Sequence, residues 1–254
     1  MDKLTEFQKK SLEYQRNRYD LEANDYAVHQ GDLQGHRYRN EFIRSRLFDF
    51  DLTDKQILDA MCASGIETKY LISRGASVTG LDISPNNKSM YCLKWQRDCI
   101  VASIHDTGLP SESFDCIYIF GGLHHVIPCL QESVVEVHRL LKPGGRFAFV
   151  EPNKDSWSNY FRMAWYKADA RFHETEEALS YPKQLLPLLS IGFEEEKYFT
   201  GGNIAYLFIC QSLVIGTPIK AKSFLYPPLA FLERMLNPLP FAPHLYFAAL
   251  WRKV

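Results

Sequence analysis

The sequence predicts an α/β protein: a doubly wound, mostly parallel, seven-stranded sheet with helical cap elements. Three observations predict it. Short buried-strand patterns alternate with helical patterns four times between Ile57 and Val150, and that rhythm demands parallel strands joined by right-handed crossovers. Two later strand patterns, Gly192 to Thr200 and His244 to Val254, can close the sheet. A length of 254 residues with 46% apolar content suits one such domain with appended elements.

The elements follow in order. Periodic apolar positions from Leu4 to Tyr26 predict one or two helices, and Arg39 to Phe48 another. A strand begins at Ile57-Leu58, and a helix runs from about Ile66 to Ser73, with Gly75 where a C-cap glycine belongs. Ala76 to Leu81 is the second strand, Lys88 to Arg97 the second helix, and Ile100 to Ile104 the third strand. Phe114 to Phe120 is the fourth strand, followed by a helix from Leu130 to Leu141. The Gly144-Gly145 turn then leads into a fifth strand, Arg146 to Val150. Phe224 to Leu239 reads as a proline-bounded amphipathic helix. The expected organisation is an N-terminal helical lid (1–50) and a core (51–254) with cap insertions at about 151–190 and 216–243.

Composition narrows the function. Lys and Arg number 29 against 30 acids, a balance that argues against a protein built to hold a nucleic acid. The six cysteines show no CxxC spacing, so neither a disulfide framework nor a metal site is expected. The start MDKLTEFQKK has no apolar signal core, and the expected location is the cytoplasm. The longest apolar stretch, Ile204 to Ile215, is broken by Gln211 and Ser212. It falls short of the roughly 18 residues of a membrane span and reads as a buried strand or core helix.

In a doubly wound sheet the ligand sits beyond the carboxyl ends of the strands. There the first crossover reads ILDAMCASG (57–65), whose small residues let a ligand approach the backbone. Seventeen residues beyond Gly65, Asp82 ends the second strand in GLDIS, where a carboxylate can accept both hydroxyls of a ribose. The GxGxxG pyrophosphate fingerprint is missing, so a nucleoside cofactor is favoured over a dinucleotide.

These blocks resemble the class I methyltransferases, Rossmann-like enzymes dependent on S-adenosylmethionine, and within them the small-molecule group called type 11. ILDAMCASG is similar to the LDxGxGxG loop and GLDIS to the ribose-binding strand end. LPSESFDCIYIFGGLHHV (109–126) is similar to the LPF…SFD…HH block, and HRLLKPGGRFAFVEP (138–152) to the RvLKPGG block. Tyr19-Asp20, Ala23 and Tyr26 resemble a YDxxAxxY element that closes over the cofactor.

The resemblance implies that Asp59 orients the methionine amino group and that the backbone of Ala60, Met61, Cys62, Ala63 and Gly65 flanks the methionine. It further implies that Asp82 binds the ribose, that Ile83 packs on adenine, and that Phe120-Gly121 borders the sulfonium. An acid meeting the adenine amine is His105 by spacing from Leu109-Pro110, or Asp106 by residue type. Met61 and Ala63 depart from the family's glycines, and Met61 is expected to reshape the loop or fill part of the pocket.

A methyl on a sulfonium is already activated, so positioning dominates, and a base is needed only where the acceptor carries a proton. His124 and His125 follow the fourth strand and are the candidate bases or acceptor anchors; His173 is a third candidate. Trp157, Tyr160, Phe161, Trp165, Tyr166 and Phe172 could line an apolar acceptor pocket, and the first four of them are taken as substrate-binding. Where nucleic-acid amino methyltransferases carry an Asn/Asp-Pro-Pro-Tyr motif, this chain reads Phe120-Gly121-Gly122-Leu123. The expected function is O- or N-methylation of a small aromatic, apolar or quinone-like acceptor by a monomer or homodimer. The alternatives are a non-catalytic binder of the same cofactor and an NAD-type oxidoreductase.

Overall fold

The structure, a computed structural model, describes residues 5–168 and 177–254, leaving aside the side chains of 21–30, 165–168 and 213–214. It opens with α1 (Glu6–Gln30), α2 (Leu33–Arg39), a π-turn (Asn40–Arg44) and α3 (Ser45–Leu47). The alternating core follows: β1 (Gln56–Ala60), α4 (Thr68–Ser73), β2 (Ser77–Asp82), α5 (Pro85–Trp95), β3 (Cys99–Val101), β4 (Phe114–Phe120), α6 (Leu130–Leu140) and β5 (Leu141–Pro152). Last come α7 (Asn159–Ala168), β6 (Phe193–Gly201), α8 (Ser212–Ile215), α9 (Ile219–Leu236) and β7 (Tyr246–Lys253).

The seven strands lie in the order β3-β2-β1-β4-β5-β7-β6. All pairs from β3 through β5 are parallel, and β7 runs antiparallel to both its neighbours. Strand order reverses between β1 and β4, which places a binding crevice at their carboxyl ends. The strands are nearly continuously buried, as a sheet covered on both faces requires. Leu58, Ile117, Ile119, Phe147 and Phe149 face α6 through Val134 and Val137. Val78, Tyr118, Ala148 and Val150 face Tyr38, Phe42, Leu47 and Tyr226 on the other side.

Several expectations change. Of the expected 1–50 lid, α1 lies over the strand ends, whereas Tyr38, Ile43 and Leu47 are fully buried and belong to the core. The third strand stops at Val101, because Asp106 N–H bonds back to Ser103 O at 3.1 Å and folds the chain across the strand tip. Gly144-Gly145 is a bulge inside β5: Gly144 takes φ +72°, and the register against β4 slips between Phe114 and Cys116. Ile204 to Ile215 forms a π-turn (Tyr206–Cys210) and α8. Pro227 and Pro228 lie inside α9 and do not bound it. The helix bonds they remove would have ended on the carbonyls of Ser223 and Phe224, both exposed, where water can satisfy them.

α2 and its π-turn are tied to the sheet by charge. Arg44 donates to both oxygens of Glu67, at 2.8 and 2.7 Å, with both side chains nearly fully buried. Deleting one partner strands the other charge out of water. Glu67→Ala should therefore lower unfolding free energy by about 3–5 kcal/mol in urea titrations. Loss of the exposed Arg252–Glu194 pair by Arg252→Ala should cost under about 1 kcal/mol.

Candidate functional site

The loop from β1 to α4 takes the shape of a glycine loop without its glycines. Met61 and Ala63 both sit at left-handed dihedrals, φ +57° and +47°, a conformation costing an L-residue roughly 1–2 kcal/mol. Three bonds hold them there: Cys62 N–H to Leu81 O at 3.1 Å, Gly65 N–H to Cys62 O at 2.8 Å, and Ala63 N–H to Asp82 Oδ2 at 2.9 Å. Gly65, at φ +76°, is packed beneath Trp95, whose indole N–H donates to Ser64 O at 3.0 Å.

Asp82 is buried at the tip of β2 and also accepts from Ser84 N–H at 2.9 Å and Asn87 Nδ2 at 3.1 Å. Burial raises its pKa, against those bonds. Asp59, at the end of β1, accepts from Thr68 Oγ1 at 2.5 Å, and desolvation pushes it up to about 8.

Two cavities meet at this loop. The larger, about 760 Å³ including its mouth, is walled by Asp82, Ile83, Asn87, Ala102-Ser103-Ile104, Gly121-Gly122 and His125-Val126, and roofed by Leu12, Gln15 and Tyr19 of α1. The smaller, about 370 Å³, contains Arg39, Asp59, Cys62, Ile66 and Glu67. Met61, Ala63 and Phe120 line both, and so form the partition between them. Gln15 Oε1 and Asn87 Oδ1 are buried in the larger cavity's wall without a hydrogen-bond partner among the described residues. A buried acceptor left this way costs about 1–3 kcal/mol, and a ligand carrying O–H or N–H donors would relieve it.

Beyond β4 the chain turns around one carboxylate. Glu151, fully buried on β5, accepts from Gly122 N–H at 2.9 Å, Leu123 N–H at 2.8 Å and His124 N–H at 3.3 Å. Its Oε2 also lies 2.7 Å from His124 Nδ1. Burial raises Glu151 to about 8, against the backbone bonds, and lowers His124 to about 3, with Arg162 and Arg18 adding to the lowering. The ring of His125 lies 3.8 Å from that of His124 between centroids, tilted by 43°. Its Nε2 lies 2.6 Å from the Tyr19 hydroxyl of α1.

Of the residues expected from the sequence, Tyr19, Asp59, Met61, Cys62, Ala63, Asp82, Ile83, Phe120, Gly121 and His125 meet at these cavities. Ala60 is buried strand and Gly65 faces Trp95; neither lines a cavity. Asp106 is exposed, and His105 bonds Ser103 Oγ through Nδ1 at 2.7 Å. The early end of β3 puts Ser103 and Ile104 in the wall instead. Trp157, Tyr160 and Phe161 are 58%, 78% and 64% exposed, so they form outer surface and not a pocket. Trp157 turns outward because its Nε1 donates to Phe241 O at 3.0 Å. Tyr26 and Trp165 lie on α1 and α7 with side chains outside the described residues, as do those of Tyr166, Phe172 and His173.

Sequence reasoning missed Gln15, Arg39, Asn87 and Glu151. Glu151 carries the same signal as Asp59 and Asp82, an acid closing a buried strand, and Asn87 sits at the third position of a helix capped by Ser84. Gln15 and Arg39 lie in segments with no motif to mark them.

Residues 58–149 match the family model for a methyltransferase domain. An uncharacterized methyltransferase of Synechocystis sp. is 34% identical over 104 residues, 40% of this chain and 49% of that protein. Demethylmenaquinone methyltransferase of Tropheryma whipplei is 32% identical over 100 residues, 38% and 41% of the two chains. The chain thus spans less than half the length of these methyltransferases. The [4+2]-cyclase SpnF shares the fold of the whole domain, with TM-score 0.63, 17% identity and 94% of each chain covered.

The protein should be less stable as pH rises. Asp59 holds its proton to about 8 when folded against an ordinary value of 3.8. Its contribution to stability is therefore full below about 4 and lost as pH climbs through about 8. Melting temperatures between pH 5 and 8.5 should fall in the wild type and fall less in Asp59→Asn.

Proposed function

We propose that the protein transfers a methyl group from S-adenosylmethionine to a small, apolar, ring-bearing acceptor. The observation that carries the reading is the pair of cavities at the β1/β4 switch point, one suited to a nucleoside and the other to an amino acid. In the larger, Asp82 Oδ2 accepts one N–H and keeps a second lone pair for a ribose hydroxyl. Asn87 Oδ1 and Gln15 Oε1 supply further acceptors, and Ile83, Ile104 and Val126 offer apolar walls for a purine. In the smaller, Arg39 suits a carboxylate, and Asp59 suits an ammonium whose charge would draw the buried carboxyl back to its ionised form.

When bound, the cofactor supplies a methyl already activated on a sulfonium. The chain's task is to hold the acceptor in line and keep water out. Tyr19 does so from the lid; Phe120 and Gly121 do so from the end of β4. Where the acceptor carries a proton, His124 is the base favoured by geometry, because the Nε2 of His125 is engaged by Tyr19. An acceptor of this class agrees with the apolar walls and with the quinone-type substrate named in the Tropheryma whipplei relative.

No helix among the described residues is long and apolar enough to cross a membrane. The six cysteines are free thiols, even though Cys62 and Cys99 bring their sulfurs to 3.9 Å. That state suits a reducing cytoplasm.

SpnF, which shares the fold, is named for a cyclisation, so product formation is the test of methyl transfer. Incubation with S-adenosylmethionine and a panel of quinols, phenols and fatty acids should yield a methylated product; binding without product would favour the non-catalytic alternative.

S-adenosylhomocysteine should raise the melting temperature while NAD does not, and Asp82→Asn should weaken its affinity at least about tenfold. The partition makes a second prediction. Met61→Gly keeps a backbone at φ +57° that glycine adopts freely and joins the two cavities, so calorimetry should show tighter binding than the wild type.

A further inference from the structure

We infer that Glu151 is a positioning residue that fixes the tautomer of His124 and so selects acceptors whose nucleophilic atom carries a proton. This rests on the methyltransferase reading. The geometry begins with what Glu151 does for the backbone. Two N–H groups, from Gly122 and Leu123, converge on its Oε1, and His124 N–H points at Oε2, so one carboxylate fixes the whole turn beyond β4. A turn held this way leaves the His124 ring little freedom, and its Nδ1 meets the same Oε2 at 2.7 Å.

When Glu151 is ionised, that contact must be Nδ1–H donating to the carboxylate, which leaves the lone pair on Nε2. Among the described residues nothing bonds to Nε2. His124 itself lines neither cavity, but its ring lies 3.8 Å from that of His125, which does, and its side chain keeps 15% exposure; Arg18 of α1 and Arg162 of α7 act on it as positive charges. That is where lid and cap elements meet, and where an acceptor would approach.

The transfer then balances simply. The acceptor's O or N forms a bond to the methyl carbon as the carbon–sulfur bond breaks, and that bond's electron pair stays on sulfur. The acceptor's proton passes to Nε2, and the resulting imidazolium lies against the Glu151 carboxylate. A carbon nucleophile without such a proton would have no use for the pair. Burial makes Glu151 hold its own proton to about 8, so the competent form accumulates as pH rises through that value.

Long-range ¹⁵N–¹H spectra of ¹⁵N-histidine protein read the tautomer directly, with His124→Gln assigning the signals. In the wild type at pH 9, Nδ1 should be protonated and Nε2 bare, and lowering the pH should add one proton with a midpoint near 8. In Glu151→Gln the side-chain oxygen can still accept from Gly122 and Leu123, but the amide NH₂ now faces Nδ1. The tautomer should invert to Nε2–H, while S-adenosylhomocysteine affinity stays within about twofold. An unchanged tautomer in Glu151→Gln, or Nε2–H in the wild type at pH 9, would overturn the inference. If Glu151→Gln does not fold, the wild-type titration still decides it. Failure of the wild type to bind S-adenosylhomocysteine would instead remove the methyltransferase reading, leaving the spectra to judge Glu151 alone.

Discussion

The site depends on acids buried at strand tips. A parallel strand that stops at a turn leaves backbone N–H groups pointing at the space where a ligand must sit, and a buried N–H without a partner is costly. Asp82 takes the N–H groups of Ala63 and Ser84, and Glu151 takes those of Gly122, Leu123 and His124. Each carboxylate therefore builds a neighbouring loop as well as facing a cavity or a histidine. Desolvation raises both groups, so the loops are bought with charge kept out of water, and donors from a ligand would improve those surroundings.

The same economy explains how Met61 is tolerated. Two left-handed non-glycine residues within three positions oppose the loop's shape by roughly 1–2 kcal/mol each. Three backbone bonds and the packing of Met61 against Ile119 and Gly122 resist that strain. The loop keeps its path and loses free volume instead, because the methionine side chain goes into the cleft. Methionine is flexible enough for such a partition to yield to a ligand.

Much of this was legible in the sequence, for a physical reason. β1 and β2 are short, largely buried runs that close on Asp59-Ala60 and on Asp82, so pattern alone located those strand tips and their acids. What pattern could not give was direction. Trp157, Tyr160 and Phe161 read as a pocket wall because aromatic residues usually seek burial, yet one hydrogen bond to Phe241, 84 residues away, turns Trp157 outward. Asp106 looked right by residue type, but the early stop of β3 moved the wall to Ser103 and Ile104. Gln15 is a glutamine in a polar helix, and only the placement of α1 over the cavity gives it meaning.

The two adjacent histidines are held from opposite sides of the site. Among residues 5–20 of α1 only Gln15 is buried, so little apolar packing holds the helix down. Polar ties do so instead: Tyr19 to His125, Gln8 to Pro128 O at 2.6 Å, and Asp20 to Asn86 N–H at 3.2 Å. Few buried apolar contacts are what a segment that opens ahead of global unfolding has. His125 is tied to α1 through Tyr19, and His124 is held from the sheet side by Glu151. Two histidines anchored to different elements can stand side by side in sequence because the turn beyond β4 faces both.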